Sequence, residues 1–215
     1  MRNRILSLLI VVAVALYVAA RQNAPASTEG EISDVARARG LTFDGGVSAG
    51  DRAWIEAAIA GARPEAQRLI QEIDGLTTVR TDLRGGQAIG MAMQSGDEAV
   101  VSFDITMLNR DRALDRDVVV LHELGHVLDF FLVGDELVAE LDKTIPVRAG
   151  GTCGGTTVPI GPCTAIEERF ADTFAKWALR GRISLAGSGY GIPAPSSIED
   201  WGAPLGLLAA ELNAR

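Results

Sequence analysis

His122-Glu123-Leu124-Gly125-His126 is the stretch that decides how this chain is read, because both of its histidines lie inside it. At about 100° per residue on a helix, positions four apart project from one face, so the two imidazoles stand one turn apart. A carboxylate follows the first of them. That arrangement holds Zn²⁺ between the imidazoles and lets the glutamate work on a water beside it. Two histidines placed at random would fall in this pattern about once in 1,000 chains of this length. The plainer reading is a helix with two ordinary polar histidines. If a metal is held, a third protein ligand must come from a residue type other than histidine.

The surrounding pattern predicts a helix over 115–132, with Asp115 as its cap. His122, His126 and Asp129 share one face, and Leu124, Val127, Leu128 and Phe131 line the other. Gly125, with no side chain, leaves room for another backbone to come close. A second helix is predicted over 164–180, opened by a capping box of Thr164 and Glu167. Ile166, Phe170, Phe174 and Trp177 gather on one side of it, while Glu168 and Asp172 stand one turn apart on the other, flanked by the small Ala171 and Ala175. An aromatic face would bury this helix, and the small residues would let its acids approach the histidines. Glu168 is the candidate to complete the metal shell. Asp172 is a candidate to accept a ring N–H from a ligand histidine and so fix its tautomer. Glu167, pointing about 100° away, and Asp129, a further turn along the first helix, are the alternatives for the third ligand. The bland alternative for the whole segment is a surface helix with solvated acids.

The segment His122-Glu123-Leu124-Gly125-His126-Val127-Leu128-Asp129, with Glu168-Arg169-Phe170-Ala171-Asp172-Thr173-Phe174 downstream, resembles the gluzincin branch of zinc metallopeptidases. There the third ligand is a glutamate from a later helix, as in thermolysin-type enzymes. The pair of motifs is most similar to the catalytic domains of lethal-factor-type toxin peptidases. The likeness covers two helices and leaves the rest of the chain unmatched. It implies an α+β, zincin-like metallopeptidase domain in which a small mixed or antiparallel sheet accompanies the His helix and the helix of the third ligand. It also implies one Zn²⁺ on His122, His126 and Glu168, with Glu123 as general base and Asp172 as a supporting acid; from the helix face alone, Asp129 is read as orienting neighbours. Lethal-factor-type enzymes carry a tyrosine shortly before the third-ligand helix, where this chain has Gly161-Pro162-Cys163. Tyr190 is the remaining candidate to stabilise an oxyanion, set against a simple role in loop packing.

The 215 residues suffice for one well-buried domain. A formal charge of −8 disfavours nucleic acid and anionic membrane surfaces as partners. Arg2 and Arg4 precede the apolar run Ile5 to Ala20, which reads as a signal peptide or an N-terminal membrane anchor over 1–20. Either would place the body outside the cytoplasm, secreted, periplasmic or anchored facing outward. In that setting Cys153 and Cys163, which close a Gly/Pro-rich loop, are expected to form a disulfide. Residues 21–50 read as a linker or lead-in, and 51–215 as the domain. A helical stretch is predicted over 51–74, with Pro64 starting its second part and Gly75 ending it. Strands are predicted over 77–81, 87–94 and 98–104, separated by Gly85-Gly86 and Ser95-Gly96-Asp97.

The function expected from these features is that of an exported zinc metallopeptidase. A peptide or protein substrate would add as a strand to a sheet edge, for which the segment 98–105 is the candidate. A zinc-stabilised binding protein without turnover is the alternative from another class, and a zinc amidase acting on a non-peptide cell-wall amide is a second enzymatic one.

Overall fold

The strands are short, and their order decides which of them a neighbouring chain could reach. The computed structural model describes residues 40–84, 88–110, 115–146, 165–179 and 192–215. The expected export segment, Thr164, the Cys153–Cys163 pair and Tyr190 all lie outside these residues. Within them the chain is a mixed α+β structure built on a four-stranded sheet: β1 (Thr42–Phe43), β2 (Thr77–Arg80), β3 (Gly90–Ser95) and β4 (Glu98–Phe103). The sheet order is β1-β2-β4-β3. β1 pairs with β2 and β2 with β4 in parallel, while β3 and β4 form an antiparallel hairpin. Gly96, at φ 64, makes the tight turn of that hairpin.

This order corrects one expectation. The segment 98–105 was the candidate edge, yet β4 is interior, with β2 on one side and β3 on the other. β3 is the edge strand on this side. The cause is the parallel pairing of β2 with β4 on the side away from the β3 hairpin, and β1, a two-residue strand inside the stretch read as lead-in, extends the sheet beyond β2. Leu41 and Phe43 pack against the core, so the fold takes in chain from before residue 51.

Helix α1 (Ala49–Ala60) starts where the Ser48 hydroxyl accepts from Asp51 N, and α2 (Pro64–Glu72) starts with proline in its first turn. Asp104, buried after β4, accepts from Met107 N at 3.0 Å and opens α3 (Ile105–Arg110). The Asp115 carboxylate accepts from Asp117 N to cap α4 (Arg116–Leu128). α4 then widens into a π-helical turn over Asp129–Val133, which Gly134 ends at φ 77 before α5 (Asp135–Asp142). The last helices are α6 (Ile166–Ala178) and α7 (Ile198–Asn213). α6 begins with Ala165 in the cap position and without a side-chain cap. Its start is therefore one residue later than a Thr164–Glu167 capping box would place it.

α4 is the spine of the molecule. It packs on the inner face of the sheet, against α1 and most extensively against α6. From Val118 to Leu128 every residue on it is buried, so the two-faced helix expected from hydropathy is in fact surrounded. On α6, Phe170, Phe174 and Trp177 are buried as their spacing predicted, each burial contributing about 1.5–3 kcal/mol, whereas Ile166, expected on the same face, is exposed at the start of the helix. Trp201 of α7 stacks near Phe170 with ring centroids 5.9 Å apart. These contacts hold α6 rigidly where it crosses α4.

Candidate metal centre

The crossing of α4 and α6 comes down to one glycine. A methyl group built on Gly125 would stand 2.9 Å from the Ala171 Cα, a backbone atom that has nowhere to go. The two helices therefore touch main chain to main chain, beside His126 and about one turn from His122 and Glu168. That contact follows from residue types legible in the sequence: glycine on one helix and alanine on the other.

At this separation the side chains on either side of the contact converge. His122 Nε2 lies 3.2 Å from His126 Nε2 and 3.1 Å from Glu168 Oε2, and His126 Nε2 lies 3.6 Å from Glu168 Oε1. The three form a group able to hold a metal ion. The donor set can be tested against zinc by its dimensions. Zn–N and Zn–O bonds of about 2.0–2.2 Å in a tetrahedron give edges of about 3.3–3.6 Å between ligand atoms. The observed spacings bracket that range, and two imidazoles with a carboxylate suit a borderline-soft cation. Side-chain exposure rises from 1% at His122 through 10% at His126 to 30% at Glu168, so the group opens towards solvent on the Glu168 side.

Charge within the group is mutually supporting. Burial pushes the Glu168 carboxyl up, but hydrogen bonds and charge from His122 and His126 outweigh it and hold the group down to about 2. For His126, burial works against protonation, and the Glu168 hydrogen bond with the charges of Glu123, Glu168 and Asp129 raises its pKa above the ordinary value. A cluster that so favours positive charge beside a carboxylate also favours a cation in its place.

Glu123 is buried at 2% exposure on the helix that carries both histidines, and its charge acts on His126. It packs against Gly90 of the edge strand: a methyl group on Gly90 would fall 2.4 Å from Glu123 Oε1 and 2.7 Å from its Cγ and Cδ. Asp129 is brought to the C-terminal end of α4. Burial, with the charges of Asp135 and Glu167, pushes its carboxyl up to about 6 against the pull of His126. Asp172 is fully buried one turn beyond Glu168, where Lys176 Nζ donates to it at 2.5 Å. Lys176 also donates to the Ile192 carbonyl. Glu167 is not part of the converging group.

Two residues that bear on the site were missed in the sequence. Lys176 stands four residues after Asp172, an i,i+4 acid–base pair that was there to be read. Gly90 falls inside the strand expected over 87–94 and opens β3 in the structure, and glycine in a strand is a usual mark of something approaching the backbone closely. Next to Glu168, Arg169 is buried and donates to the Asp142 carboxylate, to Ile145 O at 2.7 Å and to Pro146 O at 3.3 Å. It ties the end of α5 to the turn of α6 that presents Glu168. Compared with known protein families, curated proteins and solved structures, the chain matches none.

Proposed function

We propose that the protein is a zinc-dependent metallopeptidase with a zincin-like site, built from His122, His126 and Glu168 as ligands and Glu123 as general base. The observation that carries this reading is the convergence of the two Nε2 atoms and the Glu168 carboxylate across the α4–α6 crossing. Glu123 supports catalysis in particular, because a purely structural site has no use for a buried carboxylate beside its ligands.

His122, His126 and Glu168 would hold the zinc, which when bound would supply Lewis acidity to a peptide carbonyl and to the attacking water. Glu123 takes the proton of the attacking water at its carboxylate and returns it to the leaving amine. His122 and His126, fixed by burial on one helix, keep the site's geometry unchanged while this happens. Among the described residues no strand pairs with the outer edge of β3, and that edge is the natural place for an extended peptide to pair, since it lies on the side of the sheet that touches Glu123. An exported setting, with the Cys153–Cys163 disulfide, belongs to the same reading.

The test is Glu123→Gln. Purified wild type and variant are both expected to hold one zinc per chain. Digestion of an unbiased peptide library should fall at least about 100-fold in the variant. A variant that cleaves as well as wild type removes Glu123 from the chemistry and the peptidase reading with it.

A further inference from the structure

Gly90 has no backbone reason to be glycine. It is not among the glycines with positive φ, and it sits in regular register opposite Phe103. Glycine in a strand ordinarily weakens it. What the residue does provide is space: the position where a Cβ would stand is within 3 Å of three successive atoms of Glu123.

Both backbones are tied to neighbouring elements. The ladder to β4, continued by Asp104 N donating to Ile89 O at 2.8 Å, fixes the strand. The Gly125–Ala171 contact fixes α4 from its other side. Any crowding at position 90 must therefore be relieved by the Glu123 side chain from Cγ outward. The geometry points to Gly90 as the positioning residue of the general base: the edge strand forms the wall against which the Glu123 carboxylate rests. The inference depends on the metallopeptidase reading for its catalytic half and on packing alone for its structural half. It also joins two functions in one strand, since the edge open to an extended peptide is the same one that sets where the base stands.

The experiment is a double-mutant cycle on the full chain, using Gly90→Ala, Glu123→Ala and the two combined. In the wild-type background Gly90→Ala is expected to lower Tm by about 3–6 °C. In the Glu123→Ala background, where the collision is gone, it should lower Tm by less than about 1 °C. Equal shifts in both backgrounds overturn the coupling. Should Gly90→Ala alone fail to fold, a folded double variant establishes the coupling and an unfolded one overturns it. The catalytic half is read from kinetics and metal content together. Displacing the carboxylate by about 1 Å should cut kcat about 100-fold, with KM within about twofold and one zinc still bound per chain, a split that general loosening of the strand would not produce. Wild-type kcat in a fully zinc-loaded Gly90→Ala protein overturns the positioning role and leaves the peptidase reading standing. A wild type that holds zinc but cleaves nothing overturns the peptidase reading, while the Tm cycle still decides whether Gly90 sets the place of Glu123.

Discussion

Two acids one turn apart on α6 meet opposite fates. Glu168, in the first turns of the helix, is partly exposed and faces the histidines, with its pKa drawn down to about 2 by them. Asp172, one turn deeper, is completely buried and neutralised by Lys176 from its own helix. The same residue class at helical spacing therefore joins a group able to hold a metal ion at one turn and a core ion pair at the next. What separates them is the charge that each neighbouring element brings. α4 presents two imidazoles to the outer turn, whereas the inner turn meets a lysine whose other contact is the Ile192 carbonyl.

The largest effect that would break this contrast is on the inner turn. Lys176→Met removes the ammonium that pairs with a buried carboxylate and should cost about 3–5 kcal/mol in urea unfolding. The double change Asp172→Leu with Lys176→Met should return to within about 1–2 kcal/mol of wild type. Zinc affinity in that double variant is expected to stay within about tenfold of wild type. A loss of about 10–100-fold would instead assign Asp172 a part in orienting a ligand histidine.

On the outer turn, Glu168→Ala should lower zinc affinity by more than the about 10–100-fold that a supporting partner commands, with Glu167→Ala close to wild type. Competition titration with a chelator measures both, and equal losses would mean that the wrong face of α6 has been assigned.

The smallest effect is in pH. The depressed Glu168 pKa stabilises the metal-free fold above the ordinary value of 4.5, and this is lost as pH falls through about 2. The raised His126 pKa stabilises it below the ordinary 6.5, and this is lost as pH climbs through the raised value. Zinc-stripped wild type should therefore gain about 1–2 kcal/mol over Glu168→Gln between pH 4.5 and 6.5, after allowance for the exposed side of Glu168. The advantage should shrink on both sides of that window. Zinc affinity should run the other way on the alkaline side, rising as His126 loses its proton. A flat stability difference across the range would place the pairing outside the folded state.

Much of this contrast was open to reading in the chain. The histidine pair, the Asp115 cap, the proline start of α2, the glycine–alanine approach and the aromatic face of α6 all rest on local rules of spacing and size, and the structure has them. Strand order does not. It depends on β1, two residues long and without any periodicity, and on a parallel pairing that spans more than thirty residues of chain. The complete burial of α4 was equally hidden. The approach of α6 to its histidine face was expected, but the cover that β3 adds was not, and no hydropathy pattern within the helix encodes that neighbour. Asp172 fell between the two cases, with its partner four residues away and visible, but weighed only against the histidines.

The contact between Gly125 and Ala171 carries a thermodynamic consequence. Because main chain meets main chain there, the spacing between the two histidines and Glu168 is set by the least deformable parts of the molecule. The conformational entropy lost in gathering three ligands is then incurred when the chain folds, and little remains to be lost when a cation arrives. Metal capture by such a site is expected to leave backbone order almost unchanged, the behaviour of a rigid receptor and not of a clasp that closes on its ion.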